Sequence, residues 1–277
     1  MTPTKAPETA PAASSRPKRP PPSGFAVGGA ILAVLITIAA AADWEYGVAF
    51  SIGDVFENLT ARNVAVEGLL NLDWTRFTSE TVRQGFIETA QMATIASIIG
   101  ALIGLPLALL NSVVGAPNKV TFAIIKTFNS LVRAVPDILL ATFFVAVIGG
   151  GALSGMIALL IFSIGVVAKL TADVIDGIDM GPVEAAKASG ASHFQVVRVA
   201  VLPQVIPAWT SFSLYTFEIN LRGSAVLGFV GAGGIGELLN AYRGRGQYDR
   251  VWGVVVGFFV VVYVMDRISV ALRKRLR

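Results

Sequence analysis

Apolar residues fall along this chain in long blocks, not at isolated core positions. Residues 25–42 form an uncharged run of eighteen, just long enough to cross a bilayer as a helix. Further blocks lie at 80–110, 119–148, 152–178, 199–221 and 248–272. The pattern predicts an all-α polytopic membrane protein with about six transmembrane helices.

The intervals between the blocks set the domain organisation. Residues 1–24 combine prolines such as Pro20, Pro21 and Pro22 with alanines and basic side chains. Proline cannot sustain a helix there, which predicts a disordered basic cytoplasmic tail. The alanine-rich end before Asp43 also resembles a signal-peptide cleavage site, but the long charged tail and nearly full-length run favour a retained span. Residues 44–79 mix Asp54, Glu57, Arg62, Glu67, Asp73 and Arg76 with scattered apolar side chains. Trp44 and Trp74 suit a membrane interface, so residues 25–79 read as a first span followed by an external segment with a short interfacial helix. Residues 80–277 form the transmembrane core.

Inside that core the polar positions carry information. Glu80, Gln84, Glu88, Gln91, Thr94 and Ser97 recur at helical spacing on one face. Two readings of that face stand, interhelical hydrogen bonding and the wall of a polar pathway, since polar groups within a membrane face protein or water. Pro106 predicts a kink in the same helix. Arg133-Ala134-Val135-Pro136-Asp137 interrupts the third block, because a residue before proline is driven out of the helical region. Gly149–Gly151 predicts an external turn. Lys169 and Asp173, four apart, predict a surface pair. Residues 177–198 are polar and read as cytoplasmic. Pro203 and Pro207 open the fifth block, and residues 223–246 are too glycine-rich for a simple helix.

Composition narrows the class. Of 277 residues, 54% are apolar and 14% charged, against about 25% charged in an ordinary soluble domain. Such a chain cannot clothe itself in solvated side chains. The absence of cysteine removes thiol catalysis, disulfides and thiolate metal sites. The net charge is +4, but its placement matters more than its size. Residues 1–24 carry +3 and residues 266–277 carry +4, leaving −3 between them. Basic residues flanking apolar runs follow the positive-inside rule and do not indicate nucleic acid. The rule puts both termini in the cytoplasm, with Arg243, Arg245 and Arg250 as external exceptions.

The stretch between the fourth and fifth blocks reads Glu184-Ala185-Ala186-Lys187-Ala188-Ser189-Gly190, then Leu202-Pro203. Pro182 near a helix start and small residues after it describe a short helix and a turn. Taken alone this is an ordinary loop helix. The spacing, however, resembles the Glu-Ala-Ala signature of permease subunits of ATP-binding-cassette importers, with Glu184, Ala185, Ala186, Gly190, Leu202 and Pro203 matching. Ala200 stands where the signature has isoleucine, at the cost of one packing contact. The resemblance runs from about Glu80 to the C-terminus. It is nearest the phosphonate-importer permeases, through Leu131–Asp137, through Glu218-Ile219-Asn220-Leu221-Arg222, and through Val226–Gly236.

The resemblance implies a type I importer permease fold in a bacterial inner membrane and a non-enzymatic role. It implies a second permease copy, two ATPase subunits and an extracytoplasmic binding protein as partners. ATP and Mg would sit on the ATPase, with no cofactor or metal on this chain. It also implies a coupling helix over about 181–194, including His193 and Phe194, which contacts the ATPase. The substrate class it implies is phosphonate or a related oxyanion such as phosphate or phosphite. Another small solute such as methionine remains open, as does an ion-driven secondary transporter, although no convincing internal repeat of the kind expected there is present.

Arg133 and Arg222 lie in or beside apolar segments, where an unpaired charge is costly. Each has two readings. One is a structural pair, Arg133 with Asp137 and Arg222 with Glu218. The other is attraction of an oxyanion to a guanidinium fork. Together with Glu88 and Asn220 these residues are the expected lining of the pathway. Gly231, Gly233 and Gly236 also fit G-x-G-x-x-G, but that fingerprint requires a strand before it and a helix after it. With Gly234 they read instead as a re-entrant or broken element near the outer half of the pathway. No Gly-Lys pair occurs anywhere, so no P-loop is encoded and nucleotide hydrolysis would fall to another polypeptide.

Overall fold

The computed structural model describes residues 24–41, 53, 56, 57, 64–71 and 79–275. The expected tail and most of the expected external segment lie outside them. The chain divides into two units, residues 1–61 and 62–277. In the first unit, helix α1 (Gly24–Ala41) carries no charged residue and coincides with the expected first span. Its apolar stretch Val27–Ala40 is shorter than a full bilayer crossing.

The second unit is helical throughout, with no strand among the described residues. Helix α2 (Val64–Leu70) falls where the interfacial helix was expected. It is docked, since Trp252 Nε1 donates to the Ala65 carbonyl at 2.8 Å. Helix α3 (Glu80–Leu110) starts at Ser79, whose hydroxyl accepts from Val82 N–H, and runs unbroken through Pro106. Helix α4 (Lys119–Ala134) starts at Asn118, whose side chain caps Thr121 N–H at 2.8 Å. Val135 is extended, and Pro136 opens helix α5 (Asp137–Ile148). The two helices meet at 82°, so the third block is a bent pair and not one straight span, as the pre-proline restriction requires. Gly149 (φ 105°) and Gly151 (φ 121°) turn the chain into helix α6 (Ala152–Ile175).

Helix α7 (Gly181–Ala188) and helix α8 (His193–Val196) follow. A π turn over Val197–Val201 leads into helix α9 (Leu202–Leu227). The π turn ends two residues before Pro203, whose ring and missing N–H displace the preceding turn. The fifth block therefore extends six residues beyond its expected end at Leu221. Irregular backbone begins only at a 3-10 turn, Gly228–Val230, and helix α10 (Gly234–Gly244) follows at a 42° bend. Helix α11 (Tyr248–Arg275) closes the chain.

Only α3, α6 and most of α11 are long, apolar and straight enough to cross a membrane among the described residues. Counting each bent pair as one span brings the total to five. With the shorter apolar helix α1 counted with them, these five account for the about six helices expected, and the two angled pairs fall where proline and glycine interrupt the sequence.

The centre of this unit is the α3–α6 crossing. Gly100 and Gly104 lie against Ser163 and Val167, where a Cβ would fall 2.4 and 2.9 Å from the neighbouring Cβ atoms. Without a hydrophobic effect between helices in lipid, such close approach supplies the packing energy. Three apolar clusters fill the rest, one around Ile175 and Val201, one around Leu159 and Leu227, and one around Val82 and Ile235.

Candidate functional site

Two regions hold the residues singled out by sequence. The first is the loop between α6 and α9. Val183 is buried in the cluster around Ile175, which anchors α7. Glu184 and Ala185 point away from it and are exposed, and Ala186 is partly covered. Gly190 takes φ +78°, a left-handed conformation that ends the helix after its Ser189 cap. Ser192 and Gln195 form a capping box that restarts the chain as α8. Phe194 is 73% exposed, an apolar ring presented by a four-residue helix. Leu202 is half-buried and Pro203 exposed at the start of α9. Ala200, the departure from the signature, is buried in the same cluster as Val183.

This loop is moored, although sequence spacing gave no sign of it. His193 Nε2 lies 2.9 Å from the Gly115 carbonyl in the turn after α3. The imidazole thus ties two loops together while the residue remains exposed. Asp176 Oδ1 accepts from Val113 N–H at 2.7 Å in the same turn. The Gln204 side chain accepts from Asp179 N–H at 3.1 Å and donates to the Asp179 and Ala200 carbonyls. An exposed, small-residue surface on a rigid mount suits docking by another protein.

The second region is the polar interior of the helices. Glu218 is 7% exposed. One carboxylate oxygen receives Arg222, four residues on, and the other receives Arg273 Nη2 from α11 at 3.1 Å. The Arg222 side chain remains 53% exposed, so pairing with Glu218 and access to an anion coexist at one guanidinium. Arg273 had been read only as a tail charge. It lies 55 residues from Glu218, and no local pattern could have joined them.

Asn220 departs from its expected place on the pathway. It is fully buried, and its Nδ2 donates to Ser97 Oγ and Ser163 Oγ, both at 2.7 Å. Each serine hydroxyl donates to the carbonyl four residues back, Ala93 and Leu159, so its oxygen is left to accept. Asn220 therefore clasps α3, α6 and α9 together. Of the polar face on α3, Ser97 takes the hydrogen-bonding reading. Thr94 and Ser97 also border an apolar groove of about 280 Å³ between α3 and α9. Glu88 is half-buried and forms no ion pair among the described residues.

Arg133 and Asp137 do not pair among the described residues, because the bend at Val135-Pro136 separates their helices. Arg133 is exposed at its head, while its stem crosses α6 at Gly165. Asp137 Oδ1 accepts from Ile138 N–H at 2.9 Å, where a carboxylate also suits the helix N-terminus. A Cβ on Gly223 of α9 would lie 3.6 Å from Asp137 Oδ2.

The glycine element is a packing knot. Ile235 N–H donates to Thr89 Oγ1 at 2.8 Å, and Gly151 N–H donates to the Gly231 carbonyl at 2.8 Å. Gly231, Gly233 and Gly234 all have positive φ. A Cβ on Gly236 would sit 1.9 Å from the Ala225 carbonyl oxygen. The element is broken, as its sequence predicts, and is held between α3 and the α5–α6 turn with no strand before it.

Residues 100–277 match the family model described as "Binding-protein-dependent transport system inner membrane component". The "Phosphate-import permease protein PhnE" of Mycolicibacterium smegmatis is 40% identical over 189 residues, 68% of this chain and 35% of that protein. The "Phosphite transport system permease protein PtxC" of Stutzerimonas stutzeri is 38% identical over 192 residues, 69% of this chain and 70% of that protein. The chain thus spans about a third of the length of the first relative and over two thirds of the second. Among solved structures, a chain of the inward-facing MetNI methionine ABC transporter aligns with a TM-score of 0.63 and 24% identity, covering 72% of this chain and all of that one. That likeness concerns the fold.

Proposed function

The chain belongs to the family of binding-protein-dependent transport system inner membrane components, and from that premise we propose that it is the permease subunit of an ATP-driven importer for phosphate-type oxyanions. The observation that carries this reading is the exposed surface at Glu184, Ala185 and Phe194 on an anchored loop. Relatives named for phosphate and phosphite support the substrate class.

In this reading two copies form the pathway, with both termini cytoplasmic. Two ATPase subunits, which hold ATP and Mg, dock on the α7–α8 segments, and an extracytoplasmic binding protein delivers the anion. Closure of the ATPase pair draws the two segments together. The anchoring of Val183 in the cluster around Ile175 and Val201, and the Gln204 link to Asp179, pass that movement to α6 and α9. Each ligand then biases one permease equilibrium from opposite sides of the membrane. Arg222, positioned by Glu218, offers the guanidinium fork that suits a tetrahedral oxyanion.

The test is Glu184→Arg in vesicles reconstituted with the ATPase and binding protein. The expected result is loss of ATP-driven anion uptake with the protein still inserted and folded. Undiminished uptake would overturn the docking role.

A further inference from the structure

A second cavity, of about 600 Å³, opens between α6, α9 and α11. Its apolar walls are Leu170, Phe212 and Val270, and its polar end carries Tyr215, Arg273 and Lys274. The charge there is unbalanced. Glu218 is the acid facing Arg273, and Arg222 already occupies its other oxygen. Lys274 has no carboxylate partner among the described residues. On α6, Lys169 and Asp173 neutralise each other at 2.5 Å. The surplus at this end is therefore positive.

The donors are also unspent. Arg273 uses Nε on the Ser269 carbonyl and Nη2 on Glu218, leaving further N–H groups of its five. Tyr215 is 41% exposed, and its hydroxyl has no hydrogen bond among the described residues. Ser211 Oγ donates to the Pro207 carbonyl at 3.0 Å, so it brings an acceptor and no donor. The donors come from one phenol, one guanidinium and one ammonium, on two helices.

We propose that this cavity binds a phosphate-type oxyanion at Arg273, Lys274 and Tyr215. Guanidinium and ammonium together satisfy a tetrahedral anion that presents several oxygens. Two sources share that chemistry, an anionic phospholipid headgroup with its chains along Leu170, Phe212 and Val270, and a free phosphate. Basic clefts between membrane helices suit the former. Arg222 shares the Glu218 carboxylate with Arg273 but does not line this cavity, and the proposal does not depend on the transport reading.

The experiment uses the full chain in nanodiscs, with binding read in the absence of ATPase and binding protein. One arm measures retained lipid by native mass spectrometry after incorporation in phosphatidylcholine containing increasing phosphatidylglycerol. The other titrates inorganic phosphate in pure phosphatidylcholine discs. Selective retention of phosphatidylglycerol, or saturable phosphate binding, supports the site and identifies its source. Lys274→Gln is expected to weaken the bound species about fivefold, the worth of one basic residue at an anionic surface. Arg273→Lys, which keeps the charge facing Glu218, should also weaken it by removing the fork. Equal retention of both lipids together with no phosphate binding overturns the proposal. So does binding that neither folded variant alters.

Discussion

Arg273, near the end of the last helix, reaches back to the buried carboxylate of Glu218 on α9 with Nη2 and Oε2 3.1 Å apart. Arg222 holds the other oxygen of the same carboxylate. One acid thus serves two cations, and the three side chains differ in cover, at 8% exposure for Glu218, 25% for Arg273 and 53% for Arg222. Removing the acid strands two guanidinium groups. Glu218→Gln should cost about 1–3 kcal/mol of stability, whereas Arg222→Gln, at a half-exposed site, should cost less than about 1 kcal/mol. Thermal unfolding of the purified protein in one detergent compares them, and equal losses would contradict the hub role of Glu218.

The three-helix clasp makes a sharper chemical prediction. Ser97 and Ser163 already donate hydrogen bonds to backbone carbonyls, so they can accept from Asn220 without rearrangement. Asn220→Asp brings a carboxylate with no donor waiting for it and should be more damaging than Asn220→Ala. The alanine variant should lose about 1–3 kcal/mol. The expected order of melting temperatures is wild type, alanine, aspartate. An aspartate variant as stable as wild type would show that the hydroxyls are free to turn.

Two glycines of one helix separate packing from propensity. A Cβ at Gly236 meets the Ala225 carbonyl oxygen at 1.9 Å, whereas a Cβ at Gly244 meets nothing within 4 Å. Gly236→Ala should therefore reduce folded yield severely. Gly244→Ala should be neutral or stabilising by up to about 1 kcal/mol. Size-exclusion profiles of the two variants, expressed side by side, provide the comparison.

Arg222→Lys keeps the charge near Glu218 but removes the planar fork. If the exposed head of Arg222 receives the transported oxyanion, uptake by the reconstituted importer should fall about tenfold, the worth of one charge-assisted hydrogen bond. ATPase docking should be unchanged. Normal uptake with normal assembly would leave Arg222 a purely structural partner of Glu218.

How much of this was legible beforehand follows from the range of each interaction. The Lys169–Asp173 pair lies four residues apart on one helix face, so spacing alone foretold it, and the same spacing made the Glu218–Arg222 pair one of the two readings of Arg222. The same rule failed for Arg133 and Asp137, because Val135 before Pro136 leaves the helical region and the face they would share ceases to exist. His193 does lie at the surface, but its link to the Gly115 carbonyl was hidden, because that partner is 78 residues away and carries no side-chain signature.

By itself, the sequence determined the class, the approximate positions of the helices, and the breaks at Val135-Pro136 and in the glycine stretch. Composition and local backbone restrictions act within a few residues and need no partner. Only the tertiary structure decided which polar groups are spent on holding helices together. It buried Asn220 between Ser97 and Ser163, drew Arg273 to Glu218, and packed the glycine element against Thr89. Those choices depend on which helices approach closely, and in the α3–α6 crossing that approach is set by glycines whose missing side chains leave room for a neighbour.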